Sequence, residues 1–364
     1  MRKVSLDSVR TGMTLAKSIF GSNGQVLLKA GVEIKPQYLT YLKQLGINQI
    51  YIQDSRMGDI EVNDIITDET RREAHSLVSD IMNDIQMGTS KSTSKKKGIN
   101  LRDNDIVKAV SQIIEELLEN KELTAQLQDL RTLNEYVFAH SVNCCVLATL
   151  VGVKMNLNNE NLKLLSTGTL LHDIGMAAVP EAIINKSGNL TEEEYESIKR
   201  HPIYGYEMFK NTSIFDSRAG AIILQHHERF QGQGYPQGLK DQKIYYLAQI
   251  AGVVDVYDAL TSVRPYRNAY QPHEAVEMLA SWGQTNFNLE ILKYFLTCIA
   301  AYPIGTHVLL SNKESGLVIA NNSELTLRPV VRIIYVGEDL APHPSPYDLD
   351  LSKHLNLTIT KVLE

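Results

Sequence analysis

Cysteine is scarce in this chain: Cys144, Cys145 and Cys298 are all there is among 364 residues. Three thiols, two of them adjacent, form no disulfide framework, so a hydrophobic core must hold the fold and a reducing cytoplasm is expected. Cys144 and Cys145 fall on an expected helix and read as core packing rather than as ligands. Long apolar runs are missing too. No stretch reaches the roughly 18 apolar residues of a transmembrane helix, which excludes membrane insertion by such a helix. Met1-Arg2-Lys3-Val4-Ser5-Leu6-Asp7 lacks the apolar core of a signal peptide. Nor is there an excess of positive charge. Lys and Arg number 36 against 42 Asp and Glu, a net charge of −6. That argues against DNA or RNA as a partner. It leaves room for a small anionic ligand, which needs only a local cluster of cations. Internal repeats and long low-complexity segments are also absent.

What is present divides by pattern. The length allows two or three domains with at least one sizeable core. Residues 1–58 read as an α/β module. Val26-Leu27-Leu28 and Ile50-Tyr51-Ile52 are expected strands, and Pro36 opens a helix with Tyr38, Leu39, Leu42 and Leu45 in register, closed by Gly46. The module has no cluster of catalytic residue types, so a packing or regulatory role is expected of it. Residues 59–104 hold an amphipathic helix over 60–87, with Ala74, Leu77, Val78, Ile81 and Ile85 on one face. A polar, basic segment from Gly88 to Gly98 then reads as a flexible linker. Residues 105–300 read as helix after helix, beginning with Ile106, Val110, Ile113, Ile114, Leu117 and Leu118 in register. That first helix could pair between two copies of the chain, or equally pack within its own domain. Thr191 to Glu194 form a capping box for a helix expected to carry Tyr195, Ile198 and His201. After Tyr302-Pro303 the apolar runs near 305–310, 316–319 and 330–335 are separated by turn residues. Residues 301–364 therefore read as a small β appendage with at least three strands. The fold class expected is mainly α, a helical bundle between a small α/β module and a small β appendage.

Within the helical region, residue types that ligate metals recur on or at the ends of helices. They are His140, His172 with Asp173, His201, His226 with His227, and Asp255. Five of the chain's ten histidines are in this set. A buried imidazole next to a carboxylate costs free energy unless the two are paired or hold a metal. A bundle can point all seven side chains at one interior site. Mixed imidazole and carboxylate donors suit iron or manganese, with zinc also open. Seven donors exceed what one ion takes from protein, so two divalent ions with Asp173 between them is the natural reading. Two such ions can clamp a phosphodiester and activate water.

The ordered blocks resemble the HD-GYP family, a subgroup of the HD-domain metal phosphohydrolases. They are His140-Ser141-Val142-Asn143, then His172-Asp173-Ile174-Gly175, Lys199-Arg200-His201-Pro202 and Gln225-His226-His227-Glu228. Gly234-Tyr235-Pro236 and Asp255-Val256-Tyr257-Asp258, followed by Arg264-Pro265-Tyr266-Arg267, complete the set. The resemblance implies an HD-type bundle that hydrolyses cyclic di-GMP to linear pGpG or GMP. It assigns the seven residues above as metal ligands, with His172 and Asp173 at the chemistry. It implies Lys186, Tyr235, Pro236, Arg264 and Arg267 as substrate contacts, and a signalling protein or a second copy of the chain as partner. Some members carry a Glu four residues before the first His to help hold a third metal. Here Tyr136 stands there, with Glu135 one place off, which favours a binuclear site.

Two positions depart from the family pattern. Met176 stands where a lysine usually follows the His-Asp motif, and Gln231 replaces an Asp before the Gly-Tyr-Pro loop. The missing lysine removes a cation from where negative charge develops in the transition state, a loss of ~10²–10³ in rate. Besides the phosphodiesterase, two readings follow: a cyclic di-GMP sensor or interaction module with weak or no turnover, and an enzyme for another cyclic dinucleotide.

Overall fold

A computed structural model of the chain describes residues 1–21, 26–45, 47, 49–58, 60, 64–91, 102–120, 124–125, 136–184, 186, 188–262, 269–337 and 340–363. It divides into two compact units: Met1–Ile65 with Glu122–Asn134 and Ile299–Glu364, and Ile66–Lys121 with Glu135–Cys298. The N-terminal α/β segment and the C-terminal β segment thus fall in one unit, although the sequence pattern drew them apart.

The first unit begins with β1 (Arg2–Ser5), β2 (Ile19–Phe20), β3 (Val26–Leu28), α1 (Pro36–Gln44) and β4 (Gln49–Ile52). β1 pairs antiparallel with β4, with Val4 opposite Ile50. Pro36 opens α1, where a missing N–H costs nothing, and Leu42 buries against Val4, Ile50 and Ile52. Gly46 lies outside the described residues. The rest of the unit is β5 (His307–Leu310), β6 (Glu314–Ala320), β7 (Val330–Val336), β8 (Ala341–Asp350) and β9 (Ile359–Leu363). They form one antiparallel sheet in the order β8-β7-β6-β5-β9. The two segments share hydrogen bonds and core: Lys3 N–H donates to the Gly305 carbonyl at 3.1 Å, and Met57 packs with Leu317 and Ile334. The sheet is larger than its sequence signal. β8 carries Pro342, Pro344 and Pro346, which read against a strand but are tolerated at the sheet's edge.

The second unit is helical: α2 (Asp68–Lys91), α3 (Asp103–Glu119), α4 (Tyr136–Lys154), α5 (Asn159–Leu170), α6 (Glu181–Ile184), α7 (Glu192–Ile198), α8 (His201–Phe209), α9 (Ser217–Gln225), α10 (Tyr246–Thr261), α11 (Pro272–Asn286) and α12 (Leu289–Cys298). α4 is buried on every side from Ser141 to Val153, so it forms the middle of the bundle. It packs on α2, α3, α5, α10 and α12. Each fully buried Leu or Val on it contributes roughly 1.5–3 kcal/mol.

Two boundaries and one buried face differ from expectation. α2 starts at Asp68 and continues through Gly88 to Lys91, into the segment read as a linker, the rest of which lies outside the described residues. Leu118 on α3 is exposed, whereas Ile106, Val110, Ile113, Ile114 and Leu117 are buried. The helix begun by the Thr191 capping box stops at Ile198, and His201 opens α8 with Pro202 in its first turn. Proline has no N–H to continue a helix, so it separates α7 from α8 and puts His201 at a helix start.

Candidate metal centre

His140 comes from α4, His172 and Asp173 follow α5, His201 opens α8, His226 and His227 follow α9, and Asp255 lies on α10. Close packing brings these ends together. A Cβ on Gly175 would sit 2.0 Å from the His201 carbonyl oxygen, so only glycine lets the turn after Asp173 lie against α8. A Cβ on Gly252 would sit 2.9 Å from the His226 carbonyl oxygen, which holds α10 near the α9 terminus.

Three imidazoles are oriented by the backbone. Nδ1 of His172, His201 and His226 donates to the carbonyls of Thr169, Ile198 and Ile223 at 2.7, 2.8 and 2.8 Å. That fixes the tautomer and leaves each Nε2 as a lone-pair donor aimed inward. His140 Nδ1 meets Asp258 Oδ2 at 2.6 Å, with the same consequence for its Nε2. The four Nε2 atoms surround the Asp173 carboxylate. Oδ1 lies 3.2 Å from His201 and 3.8 Å from His226. Oδ2 lies 3.7 Å from both His140 and His172. Asp255 presents Oδ1 to His140 Nε2 at 3.2 Å and Oδ2 to His227 Nδ1 at 3.5 Å.

This donor set fits a divalent cation. His172 Nε2 is buried with no hydrogen-bond partner. Nε2 of His201 and Nε2 of His226 face each other at 3.2 Å, although both rings already donate through Nδ1. Two lone pairs at that distance repel unless positive charge lies between them. Burial alone would raise the Asp173 carboxyl, but His172, His201 and His140 hold it well below the usual carboxylate range. Asp255 is likewise lowered by His227 and His140 against burial. Burial, then His172 and His201, push His226 down to about 3, so it stays neutral and able to ligate. Burial and His226 push His227 well below its ordinary value.

The Gly-Tyr-Pro loop reaches the same centre. The Tyr235 ring stacks on His227, with centroids 4.6 Å apart and planes at 24°. Lys199 Nζ lies 5.7 Å from the Tyr235 centroid. Burial, then the charge of Asp255, raises the Tyr235 phenol above its ordinary range, so its hydroxyl remains a donor. Glu228 fixes the loop: its buried carboxylate accepts the N–H groups of Gln237 and Leu239 at 2.7 and 2.9 Å. A Cβ on Gly234 would fall 2.4 Å from the His227 carbonyl oxygen, so the loop can cross there only at glycine.

A family model described as an HD domain matches residues 109–291, half of the chain. The chain belongs to the HD-domain family. Within the family its motif blocks make it an HD-GYP protein, and the sheet from β5 to β9 coincides with a match to a KOW domain associated with HD domain, residues 307–364. Similar curated proteins include a cyclic di-GMP phosphodiesterase of Pseudomonas aeruginosa, PA4108, 33% identical over 65% of this chain and 56% of that protein. The cyclic di-GMP phosphodiesterase response regulator RpfG of Xanthomonas campestris is 41% identical over 36% of this chain and 35% of its own length. The 3'3'-cGAMP-specific phosphodiesterase 1 of Vibrio cholerae is 34% identical over 46% of this chain and 38% of its own. The chain thus spans between about a third and just over half of these relatives.

In this HD-GYP protein the seven expected ligand residues come to one place, and Tyr235 with the half-buried Pro236 lies beside them. Lys186 is ion-paired, its Nζ donating to Glu194 Oε2 at 2.6 Å. Arg264, Arg267, Glu135 and the Tyr136 side chain lie outside the described residues. Met176 is half-buried in the turn Ile174–Ala178, directly after His172 and Asp173. Cys144, read as packing, lies in a buried group with His140 and His172. Its sulfur is 3.6 Å from His140 Nδ1 and 3.8 Å from Nε2, so it rests beside the ring rather than along the Nε2 lone pair. Burial raises that thiol to about 12. Sequence reasoning missed Glu228 and Asp258. Both had a signal: Glu228 follows the His pair, and Asp258 lies three residues after Asp255 on one helix face.

Among the described residues, no helix is long and apolar enough to cross a membrane.

Proposed function

We propose that this protein is a metal-dependent phosphodiesterase that opens cyclic di-GMP to linear pGpG or onward to GMP, at a centre of two divalent ions, iron or manganese. The observation that carries this reading is the division of donors about Asp173. Its Oδ1 faces His201 and His226, and its Oδ2 faces His140 and His172. A carboxylate so placed suits a bridge between two cations, with Asp255 and His227 completing the set. Bound ions would supply Lewis acidity toward a phosphoryl oxygen and a water-derived nucleophile at neutral pH.

The chain's own residues do the rest. The backbone-anchored imidazoles keep their Nε2 lone pairs directed inward without reorganising, and half-buried Asp173 and buried Asp255 stay ionised. Tyr235 offers a flat ring beside His227 for a base or ribose, and a hydroxyl that can donate. Arg264, Arg267 and Lys186 are the proposed phosphate contacts, and Lys186 would exchange Glu194 for the substrate. In the overall reaction one ribose–phosphate P–O bond breaks, a water oxygen adds to phosphorus and the ring opens. The three described thiols are free and buried, which suits the cytoplasm.

A second reading has its own observation. Met176 puts an apolar side chain where the family has a pocket lysine, and Lys186 is already ion-paired. A protein that binds cyclic di-GMP without turning it over would tolerate both. One experiment separates the readings: hydrolysis of cyclic di-GMP by protein prepared without oxygen and loaded with iron or manganese. Linear product that disappears in His226→Ala is expected. Tight binding without product would replace the enzyme by a sensor, and product from a cyclic GMP-AMP substrate alone would change the substrate.

A further inference from the structure

One imidazole of the centre, His140, is oriented by a side chain, and that side chain points to a residue far from the centre in sequence. A helix carbonyl is fixed by its own ladder, whereas a side-chain carboxylate must itself be held. His140 depends on such a carboxylate, Asp258 Oδ2, at 2.6 Å. Asp258 is fully buried, and its Oδ1 accepts from Asn143 Nδ2 at 3.1 Å. Ser262 Oγ reaches Oδ2 at 3.4 Å. Asn143 is also buried, and its Oδ1 accepts from Arg71 Nη1 at 3.1 Å. Arg71 stands on α2, which packs on α4 and lies outside residues 109–291 matched as the HD domain. The direction of this chain is forced. A guanidinium can only donate and an ionised carboxylate can only accept, so the amide between them has one orientation.

We infer that Arg71 is a positioning residue for the metal centre, acting through Asn143 and Asp258 to fix the ring of His140. The inference rests on His140 being a metal ligand, as the proposed function has it. Without Arg71, no donor among the described residues holds the Asn143 oxygen toward α2. The amide can turn over, its oxygen then opposes the Asp258 carboxylate, and Asp258 must move away. His140 loses the partner that sets its tautomer and strengthens its Nε2 as a donor. Removing a group hydrogen-bonded to a ligating histidine costs roughly 10–100-fold in metal affinity. Arg71 acts two bonds further back, so about tenfold is expected.

The test uses the full chain, stripped of metal and titrated with manganese or zinc against a chelating indicator. Arg71→Ala should bind one ion about tenfold more weakly while the metal-free chain keeps its thermal midpoint. Arg71→Lys, which keeps a donor and the charge, should recover most of the loss. Asn143→Leu should reproduce it, and Arg71→Ala with Asn143→Leu should be no worse than Asn143→Leu alone. In the metal-free chain the Nδ1 proton resonance of His140 should move in Arg71→Ala, while those of His172, His201 and His226 stay in place. Unchanged affinity in Arg71→Ala, or losses that simply add in the double variant, would overturn the inference. If Arg71→Ala does not fold, Arg71→Gln and the Asn143→Leu comparison decide it. His140→Ala separates the two levels. If it too leaves metal binding intact, the ligand reading has failed. If it releases an ion and Arg71→Ala does not, only the role of Arg71 has failed.

Discussion

At the residue scale, Met176 and Glu228 carry opposite lessons. Met176 follows His172 and Asp173 directly, half-buried, so a lysine grafted there would extend from the same turn. If the chain is an impaired phosphodiesterase, Met176→Lys should raise kcat by about two to three orders of magnitude, the ~10²–10³ of one electrostatic stabiliser. The same variant should leave the affinity of the free protein for manganese unchanged. A steady-state comparison with wild type checks both, and an unchanged kcat would show that another group already supplies the charge. Glu228 makes no contact with the proposed ions, yet it holds two backbone N–H groups of the loop that carries Tyr235. Glu228→Ala strands both donors at roughly 1–3 kcal/mol each. The expected result is a lowered thermal midpoint and a KM raised more than kcat is lowered, because the loop binds rather than reacts. The clustered histidines and aspartates were legible in sequence because their chemistry is rare and their blocks are ordered. Glu228 and Asp258 were not singled out, because their one signal is a place beside other site residues, and a carboxylate there does not show in sequence whether it holds a loop, a ring or nothing.

At the element scale, the site depends on helix ends brought within contact by small residues. The turn after Asp173 lies so close to α8 that a Cβ on Gly175 would overlap the His201 carbonyl, a backbone atom that cannot swing aside. Gly175→Ala should therefore push the turn from α8 and separate Asp173 from His201, now 3.2 Å apart. The expected outcome is a sharp drop in metal bound per chain, measured by elemental analysis, together with a lower thermal midpoint. Retention of full metal content would mean that the two elements can part without opening the site. This closeness explains which element boundaries were readable. The capping box at Thr191 and Glu194 announced the start of α7, since both partners are local. The end of α7 was missed because Ile198 and His201 sit at helical spacing, which outweighed Pro202 in the pattern. β8 was missed for the converse reason: its three prolines hide a strand that only its edge position permits.

At the scale of the whole molecule, two units with different chemistry share one chain, and acid should act on them differently. In the helical unit, burial and neighbouring imidazoles keep His226 and His227 neutral, and bound metal would hold them so. The other unit has a buried histidine with no such partner. His307 opens β5, its Nε2 3.3 Å from Ser315 Oγ and its ring against Tyr335. Burial, then the positive charges of Arg2 and Arg56, push it down to about 4. Unfolded, the same imidazole titrates near its ordinary value of about 6.5. Between these two values the unfolded chain binds the proton and the folded chain does not, so stability must fall as pH falls. The contribution is fully present above about pH 6.5 and is lost down to about pH 4, up to about 3 kcal/mol in all. His307→Gln keeps a polar group near Ser315 but cannot take up the proton. Thermal unfolding of the metal-free full chain from pH 7.5 to 4.5 should show a steeper decline for wild type than for His307→Gln. The two should converge in slope above pH 7, where neither form of His307 is protonated. Equal slopes across the acid range would mean that other buried groups govern the acid response of this unit.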